Sequence, residues 1–361
     1  MLSFLQRMLC SFLTFFVVFH AGLFGYSSDK LKTMNAVEKI EDGLYVMDYV
    51  DDYDSDAILK GGYPTHVQMF LRMLCKVMRP ELPGFGCSTF NAVTPDGQYL
   101  FARNFDYMDC DQLLVWTHPK NGYASVSSVS PLFLGYGETM NIDTLASRAL
   151  LLMAHLAPLD GMNEKGLSIG VLELTAKPTF QLSTKPDLTT TTMIRAVLDK
   201  AATVDEAIEI FRTHDMRDFL LAECAYHYQV ADASGKSVVI EYVDGKMNIL
   251  EPERRENAAV DSIAATNFFL TPGVDDPNGM GQDRHETMMT ALDHSGGVAT
   301  SADAMQILQS VSMENADLHG FICDTLWSVV YNQTDLTASL CAHNNFEKVY
   351  TFSVTEPQVI R

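Results

Sequence analysis

The spacing of apolar and polar positions divides the chain into three stretches. Met8 to Tyr26, behind Arg7, holds no Lys, Arg, Asp or Glu and is rich in Leu, Phe and Val. Residues 27–86 are mixed. Within them Val67, Phe70, Leu71, Leu74, Val77 and Met78 recur at helical spacing and predict one amphipathic helix, ended by Pro80 and Pro83. Gly84 and Gly86 then loosen the run into Cys87. From that point short β-rich runs take over, broken by turn residues. Cys87 to Val93 and Gln98 to Asn104 read as a hairpin across Thr94-Pro95-Asp96-Gly97, in which Pro presets φ and Gly takes the awkward position.

Further strands are predicted at 113–117, 123–130 and 167–174, the first two separated by Asn121-Gly122, a strong hairpin dipeptide. Asp160 to Gly166 reads as a turn. Two helices follow at about 189–200 and 204–213, the second opening with Thr203 and Glu206 in capping-box spacing. A hairpin at 226–231 and 237–243 and a short strand at 263–266 precede helices near 284–293 and 301–312, for which Ser301 is the expected N-cap. Strands near 325–331, 336–342 and 349–354 close the chain. Hairpins interrupted by two helix pairs predict an α+β fold, with sheets covered by helices.

Composition narrows the function classes. The 361 residues suffice for a large core, and 47% hydrophobic with 20% charged residues describes a globular chain. A net charge of −21, most of it after residue 86, argues against a nucleic-acid partner, which needs clustered Lys and Arg. The opening run reads as an export signal, with Gly25-Tyr26-Ser27 as a small-x-small cleavage site. It is also nearly long enough to stay in a bilayer as a membrane anchor through residues 1–26. The expected organisation is therefore 1–26 signal or anchor, 27–86 leader, and 87–361 main domain. The seven cysteines contain no Cys-x-x-Cys pair, so no metal pattern emerges, and buried free thiols are expected after Cys87.

The predicted hairpin carries the candidate chemistry. It puts Cys87 at the start of one strand and Arg103 and Asp106 near the end of its partner, so a thiol, a fixed cation and a carboxylate meet at one end of a small sheet. A lone Cys beside Gly is more often a small buried hydrophobe, and Arg-x-x-Asp often caps a turn. The rest of the chain tips that balance.

Cys87, Arg103-Asn104-Phe105-Asp106, Asp160 to Leu167, His227 to Asp232, Lys236 to Glu241, Thr266-Asn267, Asp283-Arg284 and Leu326 to Tyr331, in this order, resemble the choloylglycine hydrolase family. That family of N-terminal-nucleophile amidases includes bile salt hydrolases and penicillin V acylases. The resemblance implies a four-layer αββα sandwich of two antiparallel sheets between helix layers. It also implies that Cys87 becomes the first residue of a mature enzyme. Bile salt hydrolases begin with Cys directly after the initiator Met, whereas 86 residues precede Cys87 here. In that respect the chain looks more like the amidases that cut themselves.

By the same resemblance Cys87 is the nucleophile, and its freed α-amino group, titrating near 7.7–8.0, is the base. Arg103 favours the thiolate, Asp106 orients the new amino terminus, and Asn163 and Asn267 point amides at the oxyanion. Arg284 adds positive potential behind the sulfur. His155, His227, His285 and His343 are then structural. The implied reaction is hydrolysis of a linear amide of an N-acyl small molecule through a thioester. The acyl group could come from a conjugated bile acid, a penicillin V-like compound, an acyl-lactone or a fatty amide. No metal or organic cofactor is implied, and homo-oligomers are the family's habit. Two alternatives stay open: an acyltransferase on the same Cys87 site, and an inactive membrane-tethered binding protein.

Overall fold

The computed structural model describes residues 27–62 and 84–361, apart from 138–140, 146, 219–223, 257, 319, 358 and 361. The opening apolar run and the expected helix at 67–78 lie outside the described residues. Among the described residues, no helix is long and apolar enough to cross a membrane.

Residues 27–62 do not stand apart from the residues that follow Cys87. They form α1 (Ser28–Asn35), β1 (Val37–Glu41), β2 (Leu44–Tyr49) and α2 (Ser55–Leu59). Strand β2 lies parallel to a strand of the main domain, Gln112–Thr117, and β1 pairs with β2 at the edge. Tyr49 and Tyr53 fasten this segment inward, donating to Leu152 O at 2.8 Å and to Asp199 Oδ1 at 2.8 Å. These strands were not legible in the sequence, because Val37–Glu41 mixes charges into both faces.

The predicted hairpin forms as β3 (Gly86–Val93) and β4 (Tyr99–Tyr107), with Gly97 at φ 88° in the turn. After it come β5 (Gln112–Thr117), β6 (Ser125–Val129), β7 (Asp160–Asn163) and β8 (Ser168–Leu174). Two short strands, β9 (Asp187–Leu188) and β10 (Asp215–Met216), pair with each other in parallel. β11 (Ala225–Ala231), β12 (Ser237–Val243) and β13 (Lys246–Leu250) complete a nine-stranded sheet in the order β1-β2-β5-β6-β7-β8-β11-β12-β13.

β3 and β4 belong to a second, eight-stranded sheet. Its edge beside β3 is β14 (Ala264–Ala265), and β15 (Ala316–Leu318) pairs with β16 (Phe321–Asn332), which flanks β4. β17 (Thr337–Ala342), β18 (Val349–Ser353) and β19 (Val359–Ile360) follow.

Helices α3 (Thr190–Lys200) and α4 (Val204–Thr213) cover the first sheet, and α5 (Gln282–Ser295) and α6 (Ser301–Ser310) cover the second. The result is the expected αββα sandwich. One detail differs. The β2–β5 pair is parallel, which a strand reached through a long connection allows and a tight hairpin does not. The cap of α6 is Thr300, one residue before the expected Ser301, with Asp303 closing the capping box.

Period-2 alternation along β4 explains both cores. Phe101 and Phe105 point between the sheets, into the main core, where Phe105 stacks on Trp327 at 4.2 Å between ring centroids. Leu100 and Ala102 point the other way, into a smaller core with Met288, Leu292 and Leu308 under α5 and α6. Both faces of β3 and β4 are therefore buried, and polar side chains on them must find partners inside the protein.

Candidate active site

The alternation that builds the cores also sorts the candidate residues. Arg103 has the parity of Phe101 and Phe105 and lies between the sheets. Asp106, three residues on, lies on the opposite face of the strand. Cys87 is opposite Phe105 in the β3–β4 register and fully buried. Its Sγ lies 3.3 Å from Arg103 Nη2 and donates to Val171 O at 3.5 Å. Burial pushes the thiol up to about 12, against the pull of the Arg103 and Arg284 cations and with a further push from Asp106 and Glu173.

Arg103 is fixed on all sides. Nη1 donates to Leu159 O, Nε lies 3.2 Å from Asp160 Oδ2, and the guanidinium sits 5.6 Å from the Phe105 ring centroid. Asp160 in turn accepts from Trp327 Nε1 at 3.0 Å and Tyr331 Oη at 2.7 Å. Arg103 and Asp160 are both wholly buried, so each cancels a charge that would otherwise cost several kcal/mol to desolvate.

The other face holds the main chain. Cys87 N donates to Asn267 Oδ1 at 2.9 Å, and Asn267 Nδ2 donates to Phe85 O at 3.1 Å and Glu173 O at 2.9 Å. Arg284, in the first turn of α5, spans this group. Its Nη1 donates to Cys87 O at 2.6 Å and Ser88 Oγ at 2.9 Å, and its Nη2 donates to Asn267 Oδ1 at 2.8 Å. Arg284 thus meets Cys87 through the main-chain carbonyl. Asp106 accepts from Thr325 Oγ1 at 2.6 Å and from Arg284 Nη1 at 3.4 Å. Burial raises the Asp106 carboxyl, while Arg284, Thr325 and Arg103 pull it down.

Five of the six expected site residues therefore come together: Cys87, Arg103, Asp106, Asn267 and Arg284. Asn163 is not among them. Its Nδ2 donates to Leu198 O and Ala201 O at the end of α3, and its Oδ1 accepts from Lys165 N and Leu167 N. With its amide spent on a helix end and a tight turn, Asn163 is a structural tie between α3 and the β7–β8 connection. Local main-chain bonding is the ordinary work of an Asn in a Gly-flanked turn.

Sequence reasoning missed Asp160 and Glu173. Asp160 belongs to a strand that reads as a turn. Glu173 interrupts the apolar run of β8, and that lone carboxylate was its one signal; its Oε2 accepts from Phe85 N at 3.3 Å. The four histidines are engaged elsewhere. His155 stacks on Tyr53 and is held near 3 by burial. His227 bridges Glu241 and Thr266 O, His285 packs edge-on to Phe268, and His343 is bonded through its backbone N to Leu326 O. Cys110 Sγ lies 3.2 Å from Ser130 Oγ, Cys224 Sγ donates to Tyr226 Oη, Cys323 and Cys341 are buried free thiols, and no cluster of His, Cys, Asp or Glu able to hold a metal occurs among the described residues.

The αββα sandwich, with a buried Cys at the second position of β3, is an N-terminal-nucleophile type of fold. Residues 87–258, a little under half of the chain, match the model of the linear amide C-N hydrolases, choloylglycine hydrolase family. It is 37% identical over 105 residues to a penicillin V acylase of Pectobacterium atrosepticum, covering 25% of this chain and 26% of that protein. It is 25% identical over 180 residues to a bile salt hydrolase/transferase of Clostridium perfringens, covering 46% and 50%. These matches span at most half the length of the curated relatives. In fold it resembles the crystal structure of a mutant of the conjugated bile acid hydrolase from Clostridium perfringens. The TM-score is 0.52 at 16% identity, over 74% of this chain and 92% of that one.

Proposed function

We propose that the chain is a self-processing cysteine amidase that hydrolyses a linear, non-peptide C–N bond of an N-acyl small molecule through a thioester on Cys87. The observation that carries this reading is the position of Cys87. Its sulfur touches a buried Arg on one side, and its main-chain nitrogen touches Asn267 on the other.

Cutting begins when Sγ attacks the Gly86 carbonyl carbon. The Gly86–Cys87 C–N bond breaks, the nitrogen takes up a proton, and the acyl group is left on sulfur. That break frees the α-amine of Cys87, a base that titrates about two units below a Lys, and hydrolysis of the thioester then releases the preceding chain as a carboxylate and restores the thiol. In turnover this amine accepts the thiol proton and later delivers it to the leaving nitrogen. Arg103 favours the thiolate so formed. Asn267, whose Oδ1 receives the Cys87 nitrogen, is the candidate oxyanion donor through Nδ2, which holds Phe85 O and Glu173 O before cutting and loses Phe85 O when the preceding chain departs. Asp106 and Arg284 hold the amine end of the residue in place. Transfer of the acyl group to an amine in place of water would use the same groups.

Intact-mass measurement tests the core of this reading. Active protein should contain a chain that starts at Cys87, and activity carried only by protein uncut at that bond would refute it. Export is part of the proposal, on the strength of Arg7 and the uncharged run that follows. Cell fractionation should find the protein outside the cytoplasm.

A further inference from the structure

We infer that Phe85-Gly86 lies in the acyl subsite that the processed enzyme offers its substrates. The acyl group it takes is then unbranched at the carbon beside the carbonyl and carries an aromatic or extended apolar tail. This deepens the amidase reading and rests on it.

Under that reading cutting and turnover pass through the same kind of bond. In cutting, the acyl group on sulfur is the leader ending in Phe85-Gly86, and the departing nitrogen is that of Cys87. In turnover, the acyl group comes from the substrate, and the nitrogen leaves with the product amine. In both, water adds to the carbonyl carbon, the S–C bond breaks, sulfur regains a proton, and a carboxylate departs. Whatever surrounds residues 85 and 86 before cutting therefore surrounds the acyl group of each later thioester.

Those surroundings are selective. A Cβ on Gly86 would come within 2.9 Å of Asp106 Oδ2, 3.0 Å of Asp106 Cβ and 3.0 Å of Met313 Cε, all belonging to packed, buried or flanking structure. The carbon next to the carbonyl has room for hydrogen and little else. One residue further out, the main chain is held at both ends: Phe85 N donates to Glu173 Oε2, and Phe85 O accepts from Asn267 Nδ2. The Phe85 ring, 6% exposed, then meets Phe105 at 5.2 Å, Tyr226 at 5.9 Å and Tyr107 at 6.3 Å between centroids. Those rings stand on β4 and β11, one strand from each sheet, so the walls are set by the sandwich. The ring begins about six bonds from the carbonyl carbon. A straight chain of similar reach, or an arylalkanoyl chain, would fill the same space once the leader's end has gone.

The test uses purified, processed protein and para-nitroanilides of four acids: acetic, octanoic, 6-phenylhexanoic and 2-methyl-6-phenylhexanoic. The octanoyl and phenylhexanoyl compounds should lead in kcat/KM. The added 2-methyl group should lower it by about 10- to 200-fold, the range a single misplaced methyl commands in a tight pocket. Acetyl-Gly-Phe-Gly, which reproduces residues 84–86, should compete with the phenylhexanoyl compound, and acetyl-Gly-Phe-Ala should not.

In the precursor, Phe85→Leu should still be cut, while Phe85→Asp, checked for folding by circular dichroism, should be cut more slowly. Turnover with the branched acyl group as good as the linear one, or without competition by the peptide, overturns the subsite and leaves the amidase intact. Failure of all four anilides together with an uncut chain overturns the amidase reading, and the subsite with it.

Discussion

The two faces of the β3–β4 hairpin treat Cys87 differently. Between the sheets, the sulfur meets a guanidinium that is locked by Leu159 O, Asp160 and the Phe105 ring, with no freedom to follow a moving charge. On the helix face, the main chain of Cys87 meets Asn267 and Arg284, which bond to one another and to several backbone groups. The first face gives the sulfur its nearest charge, and the second sets the geometry of the nitrogen beside it. Because strand parity separates them, each can be disturbed without directly touching the other.

Cys87→Ala belongs to both faces and should have the largest effect. In the proposed mechanism one sulfur serves cutting and turnover, so both should stop, leaving an intact chain by mass and no detectable amide hydrolysis. Asp160→Asn strikes the sulfur face alone. It leaves the Arg103 charge buried without its counter-ion, a change that typically costs about 3–5 kcal/mol of stability. Chemical denaturation should show that loss, with Trp327 fluorescence as the reporter because its Nε1 donates to Asp160. A loss below about 1 kcal/mol, the net worth of an ordinary hydrogen bond, would mean that Leu159 O and the Phe105 ring suffice for Arg103.

Asn267→Ala strikes the nitrogen face. Loss of one oxyanion donor lowers turnover by about 10²–10³, chiefly in kcat. Alkylation of Cys87 by a small reagent should continue, because Arg103 and its anchors are untouched. Equal loss of alkylation and turnover would make Asn267 a brace for the site and not an oxyanion donor.

The same division explains what was legible in the sequence. The hairpin announces itself through β-rich runs on either side of a Pro-Asp-Gly turn, and its register then fixes Cys87, Arg103 and Asp106 at one end. The opposite facing of Arg103 and Asp106 follows from a spacing of three in a strand, and the sequence-based expectation of a single shared corner passed over it. Asn267 and Arg284 reach the site from distant segments, and only the resemblance to a family linked them to Cys87.

Asp160 and Asn163 were misjudged for one reason. Asp160 to Gly166 is dense in turn formers, yet Asp160–Asn163 pairs with both β6 and β8 as a buried strand. Tertiary pairing overrode local propensity there. It placed Asp160 under Arg103, while the turn that does form at 164–166 took the Asn163 amide.

The smallest expected effect lies on the nitrogen face, at Thr325. Its hydroxyl donates to Asp106 Oδ1 at 2.6 Å and helps offset the burial that raises this carboxyl. Thr325→Val keeps the shape and removes the donor, so the Asp106 carboxyl should rise further. A raised carboxyl pKa means the group stays protonated to higher pH. If the ionised form orients the Cys87 amine, the acid limb of the pH–rate profile should move upward, and the plateau above it should keep its height. Thr325→Ser retains the hydroxyl and should leave the limb where it was. A fall in the plateau of Thr325→Val with no movement of the limb would show that Thr325 acts only by accepting the Met313 N–H at 2.8 Å, and not through the charge of Asp106.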